Sequence, residues 1–327
     1  MNFAQTIRDL SGAFERPRDL SQKEAHAVFG AMLDGGIPDV QLGALLLLMR
    51  VKGLGVDELL GCHDALQERV QTLEPPPLHA LPVVIPSYHG MREQPNLMPL
   101  LALLLARLNV PVLVHCTLDS YGGVSSAAVF RELRILPCAS FAEVTHALEA
   151  ERLAIVPISV LTGGLAALLS LRAHLGVRTC AHALAKLVDP FAGHSLRLVP
   201  TSRQEDRHTL QCFFEATGER ALVMRGTEGE AFADPHRRPK LELVRAGEVR
   251  PLFEAEAAPL DILPGVPTGA DPRIVAAWIR KVLLGNAPVP LPLTHQLACC
   301  LYGAGSAEDF NQAKAIAAVQ SGTSLAA

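Results

Sequence analysis

The strongest structural signal in this chain is a pair of short apolar runs separated by a longer apolar stretch. Residues 81–85 and 110–114 have the length and composition of buried strands, and residues 97–108 have the length of a helix. This order is typical of a parallel βαβ unit, in which a helix carries the chain back so that the second strand can run beside the first. Further strand-like runs follow, at 153–156, near Val199, at 221–224 and at 241–245. Strands that alternate with helices predict an α/β protein with a central, mostly parallel sheet flanked by helices.

The N-terminal part of the chain carries a different pattern, that of amphipathic helices. Apolar residues recur at helical spacing within 20–34 and 39–52, and Asp57 is the expected N-cap of a third helix that runs to about residue 72. The consecutive prolines at 75–77 cannot continue a helix and mark a linker. The sequence therefore predicts a small all-helical N-terminal domain that ends before these prolines.

We place the helical domain at residues 1–73 and the larger α/β domain at residues 78–327. Within the second domain, residues 251–272 are rich in proline, glycine and acidic residues and are expected to form a loop. Two helices are expected to close the chain, at about 271–284 and 293–321.

The composition excludes several classes of protein. Of the 327 residues, 49% are hydrophobic, which is enough for a large core, and apolar runs such as 97–108 are too short to span a bilayer. The seven cysteines form no C-x-x-C pair, which favours reduced core thiols over disulfides or a zinc site. The N-terminal residues lack the basic and apolar regions of a secretory signal. We therefore expect a cytoplasmic protein with no membrane partner and no metal site.

The charge of the chain argues against a strongly basic nucleic-acid binder. The net charge is −4 and the isoelectric point is about 6.3, whereas proteins that bind nucleic acids electrostatically usually carry a basic excess. A local patch would have to supply the attraction. Residues 220–250 hold seven basic and five acidic residues, an excess of two positive charges, and their densest basic group is Arg237, Arg238 and Lys240.

The segment 83–117 has the frame of a ligand site. Its first loop reads Pro86-Ser87-Tyr88-His89-Gly90, its helix opens with Asn96-Leu97-Met98-Pro99, and its second strand ends in Val114-His115-Cys116-Thr117. This order resembles the phosphoribosyl-diphosphate site of the anthranilate phosphoribosyltransferase family. In that family the corresponding segments read Gly-Thr-Gly-Gly-Asp, Asn-x-Ser-Thr and Lys-His-Gly-Asn.

The resemblance extends over nearly the whole chain. Residues 175–179 and 187–190 resemble the family's Leu-Gly-x-Arg-Thr and Leu-x-Asn-Pro segments, and residues 220–226 resemble the strand before its second metal-binding loop. The resemblance implies the two-domain fold of the family, with a segment near 164–187 that returns to the helical domain. It also implies a homodimer that forms through the helical domain.

The residue types at the site nevertheless depart from the family's pattern. Glycines let backbone N–H groups approach a diphosphate closely, whereas Pro86 removes a donor and Tyr88 and His89 add bulk. The hydroxyl-bearing residues that open the family's helix are replaced by Met98 and Pro99, which donate no hydrogen bond to phosphate. The first loop and the helix start are thus both poor matches to a diphosphate.

The charged groups of the family's site are replaced as well. Val114 stands where the family has a lysine, and Ala231 and Phe232 stand where it has an Asp-Glu pair that binds magnesium. The family contains a divergent YbiB-like branch that shares the fold, lacks the signature motifs and binds nucleic acid as dimers. The chain most resembles that branch, which implies a non-catalytic, nucleic-acid-binding protein.

The candidate residues for contact with a ligand or phosphate cluster in the parts that match the family's site. They are Tyr88, His89, Arg92, Asn96, His115, Ser125, Ser126 and Arg178. The first-loop residues would contact a phosphate or a base, with Tyr88 stacking on the base, or would form an exposed loop over a disused pocket. Arg178 corresponds to the arginine that contacts the aromatic acid substrate in the family. It would bind a carboxylate or phosphate, or form a structural salt bridge between the domains.

The remaining candidates each have a structural alternative. His115 would contact a ligand or be a buried histidine bonded to a loop carbonyl. Asn96 would face a ligand or cap the helix that follows, and we favour the cap. Ser125 and Ser126 stand at a predicted helix N-terminus, where an anion would bind unless one of them simply caps the helix.

Four basic residues, Arg92, Arg237, Arg238 and Lys240, are the candidates for contact with nucleic-acid phosphates, with a solvated charged loop as the alternative for the last three. The leading hypothesis is sequence-independent binding of DNA or RNA, without catalytic residues and without a cofactor. A first alternative is a glycosyl- or phosphoribosyltransferase with an altered donor site, which would need magnesium. A second is a sensor that holds a small ligand in the cleft without turnover.

Overall fold

The computed structural model describes residues 2–12, 17–119, 121–201, 204–258 and 265–322. Within these ranges the chain forms fifteen α-helices and seven β-strands. The chain begins with four helices, α1 (Phe3–Ser11), α2 (Gln22–Leu33), α3 (Asp39–Lys52) and α4 (Val56–Gln67). It continues with β1 (Val83–Ser87), α5 (Met98–Arg107), β2 (Val112–Cys116), α6 (Ser126–Glu132), α7 (Phe141–Ala150) and β3 (Leu153–Pro157).

The second half of the chain begins with helices before it returns to the sheet. The helices are α8 (Ile158–Leu161), α9 (Gly163–Ser170), α10 (Arg172–Leu175) and α11 (Cys180–Leu184), the last followed by a 3-10 turn (Ala185–Leu187). The sheet resumes with β4 (Leu196–Thr201), α12 (Gln204–Thr217), β5 (Ala221–Arg225), β6 (Leu241–Arg245) and β7 (Glu248–Phe253). The chain then forms α13 (Pro272–Leu283), α14 (Leu291–Gly303) and α15 (Phe310–Gln320).

The seven strands form one sheet in the order β3-β2-β1-β4-β5-β6-β7. Strands β1 to β5 pair in parallel, β6 runs antiparallel to β5, and β7 runs antiparallel to β6. The strand order reverses between β1 and β4, and in open α/β sheets a crevice forms outside the carboxyl ends of the strands at such a reversal. The predicted fold class, a small helical N-terminal domain with a larger, mostly parallel α/β domain, is confirmed.

Alternate residues of each strand enter separate hydrophobic cores on the two faces of the sheet, as the pleat requires. Val83 and Ile85 pack into the core that contains α5, α13 and α14. Val84 lies between them in sequence and packs into the second core, which also contains Phe29 of α2 and Leu45 of α3. The N-terminal helices therefore share a continuous core with one face of the sheet.

Close backbone contacts join the N-terminal helices to the returning segment. A Cβ at Gly61 of α4 would lie 2.1 Å from the carbonyl oxygen of Gln22, and one at Gly164 of α9 would lie 2.3 Å from that of Leu33. Only glycine allows helices to approach this closely without a shift of the backbone. These contacts hold α2 between α4 and α9.

Three local predictions differ from the structure. The third helix has Gly55, not Asp57, as its N-cap, because the carboxylate of Glu58 accepts the Gly55 N–H. The helix ends at Gln67, before the predicted end near residue 72. The expected loop at 251–272 begins inside β7, where it pairs with β6, and its part at 259–264 lies outside the described residues. The single helix expected at 293–321 is two helices, because Gly305 adopts a positive φ after α14.

No helix within the described ranges combines the length and apolar character needed to cross a bilayer.

Candidate anion-binding site

The candidate site lies at the carboxyl end of β1, beside the reversal in strand order. We call residues 88–95, which follow β1, the first loop, and residues 226–232, which follow β5, the acidic loop. The first loop and the acidic loop pack against each other. The hydrogen bonds between them determine which groups remain free to contact a ligand. The predicted candidates fall into three sets: buried structural residues, residues bonded to the acidic loop, and residues that line an open pocket.

Asn96 and Ser126 belong to a buried polar cluster beneath the first loop. The Ser87 hydroxyl donates to Ser126 Oγ at 2.8 Å, and Asn96 Nδ2 donates to the same oxygen at 3.0 Å. Asn96 Oδ1 accepts the N–H of Met98, the first residue of α5, at 3.3 Å. The N-cap of α5 is Leu97, so the prediction that Asn96 is the N-cap is wrong by one residue, although its side chain accepts the first N–H of the helix. The Ser126 hydroxyl is buried and bonded within the chain, so this structure does not present it to an anion.

Tyr88 and His115 form a second buried pair. The Tyr88 hydroxyl lies 2.5 Å from His115 Nδ1, and both side chains are buried. Burial raises the pKa of Tyr88 well above its usual value and lowers the pKa of His115 to about 3. This structure therefore does not present Tyr88 for stacking on a base or His115 for contact with a ligand, because the tyrosine ring packs into the core and its hydroxyl is bonded to the histidine.

Ser125 caps α6. Its hydroxyl oxygen accepts the N–H of Ala128 at 3.2 Å, and its O–H donates to the carbonyl of Leu118 at 3.3 Å. The hydroxyl is thus engaged on both sides, and the capping interpretation replaces that of an anion site. Ser120, in the same hydroxyl-rich stretch, lies outside the described residues.

Two carboxylates of the acidic loop occupy the backbone N–H groups of the first loop. Glu230 Oε1 accepts the N–H of His89 at 2.7 Å and that of Gly90 at 2.8 Å. Glu228 accepts the N–H groups of residues 92, 93 and 94, at 2.7, 3.2 and 2.8 Å. Five backbone donors of the loop are therefore bound by two carboxylates of the same chain. Glu230 is fully buried, and burial raises its pKa even though the hydrogen bonds from Gly90 and His89 oppose this shift.

The acidic loop also covers His89. Gly229 has a φ of +90°, and a Cβ placed on it would lie 2.1 Å from the His89 ring. Burial, followed by the nearby charges of Lys186 and Arg178, lowers the pKa of His89 to about 2. This structure therefore does not present the His89 side chain to a ligand, since it lies beneath the acidic loop.

The remaining two candidates, Arg92 and Arg178, do come together. With Arg50 at the end of α3 and Arg172 in α10 they line a cavity of about 330 Å³ that also contacts Glu228. We call this cavity the arginine pocket. Arg178 Nη2 makes one long hydrogen bond to the carbonyl of His89 at 3.5 Å, and the Arg172 guanidinium lies 4.6 Å from the centre of the Tyr121 ring.

The charges of the arginine pocket are not balanced by the chain. Among the described residues no carboxylate lies within ion-pair distance of these four guanidiniums, and Glu228 is already bonded to the first loop. Burial and the neighbouring arginines lower the pKa of Arg178 to about 10, and burial followed by the charge of Arg92 lowers that of Arg172. Arg172 Nη1 and Arg178 Nε are buried and have no hydrogen-bond partner among the residues that the structure describes. Such an arrangement attracts anions.

The basic cluster of Arg237, Arg238 and Lys240 lies elsewhere and is internally paired. Arg237 donates to the carbonyls of residues 256 and 257, and Lys240 Nζ lies 2.8 Å from Glu242 Oε1. Arg238 pairs with Glu256 at 3.3 Å and covers the Phe253 ring. None of the three lines the arginine pocket. Their charges hold the β6–β7 hairpin to the loops around it.

The residues of the acidic loop do not fit a magnesium site of the family's type. Ala231 and Phe232 are fully buried and offer no side-chain oxygen, and Glu228 and Glu230 are bonded to backbone N–H groups. Within the described ranges no group of three or more histidine, cysteine or acidic side chains could hold a metal ion. The arrangement can bind an anion, and the described residues that line the arginine pocket include no nucleophile and no titratable acid–base pair.

Sequence reasoning missed four residues of the site: Arg50, Arg172, Glu228 and Glu230. The two arginines carry no local signal, because one ends an amphipathic helix and the other lies in a short returning helix. The two glutamates flank Gly229 in the loop after β5, which corresponds to the family's second metal-binding loop. This Glu-Gly-Glu pattern is a sequence signal that could have identified them as site residues.

Comparisons with known proteins agree with the fold. Residues 9–70 match the family model described as "Glycosyl transferase family, helical bundle domain". The chain is 37% identical over 309 residues to the uncharacterized protein YbiB of Escherichia coli (strain K12), covering 94% of this chain and 96% of YbiB. It is 26% identical over 323 residues to the anthranilate phosphoribosyltransferase of Methylocella silvestris, covering 95% of this chain and 90% of that enzyme.

Solved structures show the same fold at lower sequence identity. The crystal structure of anthranilate phosphoribosyltransferase from Thermus thermophilus superposes with a TM-score of 0.78 at 23% identity, covering 98% of this chain and 94% of that chain. The enzyme from Saccharomyces cerevisiae in complex with PRPP and Mg gives a TM-score of 0.71 at 13% identity, covering 98% and 93%. The chain belongs to the anthranilate phosphoribosyltransferase-like family, in its YbiB-like branch.

Proposed function

We propose that this protein is a non-catalytic, sequence-independent nucleic-acid-binding protein that acts as a homodimer. The observation that carries the proposal is the arginine pocket, in which four guanidiniums converge without a carboxylate partner among the described residues. Phosphate is the anion that guanidinium forks match best in nucleic acids. A chain with a net charge of −4 can bind phosphates only where its positive charge is concentrated in this way.

The pairing of the two loops supports the absence of catalysis. Backbone N–H groups of a loop after a strand form a natural cradle for phosphate oxygens. Here Glu228 and Glu230 already accept those N–H groups, so a diphosphate donor would have to displace two carboxylates, one of them fully buried. Three retained residues, Asn96, His115 and Arg178, favour the transferase alternative. Asn96 and His115 are engaged in the core, whereas Arg178 lines the arginine pocket.

An apolar face of α3 supports the homodimer. Val40 and Val51 are 85% and 84% exposed, and they lie three helical turns apart on the same face of α3. Exposed large apolar residues that line one helix face are typical of association surfaces. Arg50 precedes Val51 and reaches the arginine pocket, so a second copy docked on this face would bring two pockets close together. If two pockets bind the same strand, the second binding event is intramolecular, so the dimer would bind the strand more tightly than a single pocket does.

The test is fluorescence anisotropy with labelled single- and double-stranded DNA and RNA across a salt series. Binding should weaken steeply as salt rises, because each neutralised phosphate releases a counterion. Replacement of Arg50 and Arg92 by glutamine should weaken binding to every sequence about equally and reduce the salt slope by about 1 per arginine. Both side chains are exposed, so the fold should tolerate the change.

The matched control is Arg237→Gln, which removes an arginine that is bonded to backbone carbonyls outside the pocket. It should leave the salt slope unchanged. Equal loss of affinity in the control and in the pocket variants would show that overall charge, not the pocket, governs binding. Affinity that stays flat from low to high salt would contradict the proposal as a whole.

The transferase alternative has its own test. Calorimetry with phosphoribosyl diphosphate and magnesium should show no heat from binding of the donor at the first loop, because Glu228 and Glu230 already accept the N–H groups of that loop. Turnover of an aromatic acid with this donor would overturn the non-catalytic proposal. Binding of the donor without turnover would instead favour the ligand sensor.

A further inference from the structure

The shape of the arginine pocket restricts which phosphate can reach all four guanidiniums. Its residues come from three separate parts of the chain: Arg50 from the end of α3, Arg92 from the first loop, and Arg172 and Arg178 from α10 and the segment after it. They surround a recess of about 330 Å³, at the lower end of the range for small-ligand sites. A group must enter this recess to be contacted from several sides.

A phosphate inside a strand is poorly suited to such a recess. An internal phosphodiester carries a sugar on both sides, offers two free oxygens and bears a single negative charge. A terminal phosphate monoester is attached on one side only, offers three oxygens and carries about −1.5 to −2 charges at pH 7. The monoester can therefore point into a concave site while the rest of the strand stays outside.

The electrostatics of the pocket favour the more highly charged group. Among the described residues, Glu228 is the one acidic residue that lines it, and both its oxygens accept N–H groups of the first loop. The buried donors Arg172 Nη1 and Arg178 Nε have no partner within the described parts of the chain. Planar guanidiniums bind phosphate oxygens in pairs, and a group with three oxygens can engage more than one of them.

We propose that the arginine pocket binds a phosphate monoester, and that on a nucleic acid it selects a strand end that carries a terminal phosphate over internal phosphodiesters. This inference rests on the proposed function, since it names which phosphate the protein holds. The same chemistry is offered by a free nucleoside monophosphate, so the experiment contains an arm for each source.

The experiment compares one labelled single-stranded oligonucleotide in three forms: with a 5′-phosphate, with a 3′-phosphate and with hydroxyls at both ends. Adenosine monophosphate and adenosine serve as unlabelled competitors. The wild-type protein should bind at least one phosphorylated form about tenfold more tightly than the hydroxyl form, the worth of one added charge-assisted hydrogen bond. The monophosphate should compete, and adenosine should not.

The variant Arg50→Gln, at an exposed position, should abolish the preference for the phosphorylated end, and Arg178→Gln should do the same from inside the recess. Arg273→Gln is the matched control, because Arg273 is exposed, pairs with Asp271 and lies outside the pocket. The control should keep the full preference.

The outcomes separate this inference from the proposed function. Equal affinity for all three forms would overturn the inference and leave non-specific nucleic-acid binding standing. Binding of adenosine monophosphate in an Arg50-dependent way, without binding of any oligonucleotide, would support the monoester pocket and overturn the nucleic-acid function. Binding of neither would overturn both.

Discussion

At the scale of single residues, Glu230 is an acidic side chain that is fully shielded from water. Its carboxylate is fully buried, accepts two backbone N–H groups through Oε1, and leaves Oε2 without a hydrogen-bond partner among the described residues. Burial disfavours the charged form, and the two hydrogen bonds do not fully offset this, so its pKa is raised. The loop pairing therefore contains a carboxylate whose charge costs stability near neutral pH.

Glu230→Gln is expected to be more stable than the wild type at pH 7. A group whose folded-state pKa is raised contributes stability below its unfolded value, here 4.5, and loses it as pH rises through the folded value. Glutamine keeps an oxygen for the N–H groups of His89 and Gly90 but carries no charge, so the difference should shrink as pH falls towards 4. Chemical denaturation at several pH values measures it.

The control for this prediction is Glu93→Gln, since Glu93 is exposed in the same loop and its replacement should change stability little. A less stable Glu230→Gln variant at pH 7 would mean that the charged carboxylate is required to hold the first loop. In that case the loop would be expected to lose its order when Glu230 is neutralised.

At the scale of elements, α3 contributes residues to two different surfaces of the protein. Arg50 reaches the arginine pocket, while Val40 and Val51 face outward on a surface that the described parts of the chain leave open. A helix that is apolar on its exposed side as well as on its buried side needs a partner for the second face. This is the structural reason to expect the homodimer to form here.

The double substitution Val40→Glu and Val51→Glu should convert the dimer to a monomer, because like charges would face each other across the interface. Sedimentation velocity gives the mass of the species in solution. Affinity for a long oligonucleotide should fall with the loss of the second pocket, while competition by adenosine monophosphate should stay unchanged. Val319→Glu, at an equally open position on α15 with 75% exposure, should remain dimeric.

The contact between α9 and α2 gives a matched pair of neighbouring glycines. A Cβ at Gly164 would lie 2.3 Å from the Leu33 carbonyl oxygen, whereas a Cβ at Gly163 would meet nothing within 4 Å. Gly164→Ala should therefore lower the free energy of unfolding by about 1–3 kcal/mol, and Gly163→Ala should be neutral or slightly stabilising. Urea denaturation of both variants decides it, and equal stability would contradict the close packing of the returning segment.

At the scale of the whole molecule, the fold could be predicted because its signals are local or follow the chain order. The apolar runs at β1 and β2 with α5 between them define a parallel unit without any tertiary information. The missed strand β7 has exposed and half-buried residues along its length, so no apolar run marks it. The opposite edge strand, β3, is almost fully buried, and its apolar run at 153–156 did predict it.

The residues of the candidate site could be predicted only in part, because the arginine pocket is formed by side chains that come together from separate parts of the sequence. Arg92 and Arg178 were found through the family frame, whereas Arg50 and Arg172 reach the pocket only after the returning segment docks on α3. Tyr88 was assigned to a ligand because its position was known but its direction was not. A tyrosine at a strand end turns into the core when a buried partner such as His115 bonds to its hydroxyl.

Buried histidines should make the whole molecule sensitive to acid. Burial lowers the pKa values of five side chains, to about 3 for His63, His115 and His182, about 2 for His89 and about 4 for His295. The unfolded chain takes up these protons near 6.5, whereas the folded chain does not. Stability that is present above pH 6.5 should therefore be lost progressively as pH falls towards 4.

Replacement of one buried histidine tests this argument directly. The His63 ring packs against Phe213 at 4.8 Å between centroids, and its Nε2 lies 3.5 Å from Nη1 of the buried Arg197, which also bonds the Leu187 carbonyl and Glu219. His63→Leu should keep the packing and remove one proton-binding group. Because arginine stays charged, loss of the contact to Arg197 should lower stability about equally at every pH. The free energy of unfolding of this variant should fall less steeply than that of the wild type between pH 6.5 and 4. His146→Gln, on the exposed side of α7, should leave the slope unchanged. If the His63 variant and the wild type lose stability in parallel, His63 does not contribute to the acid sensitivity, and the argument from its burial would be wrong.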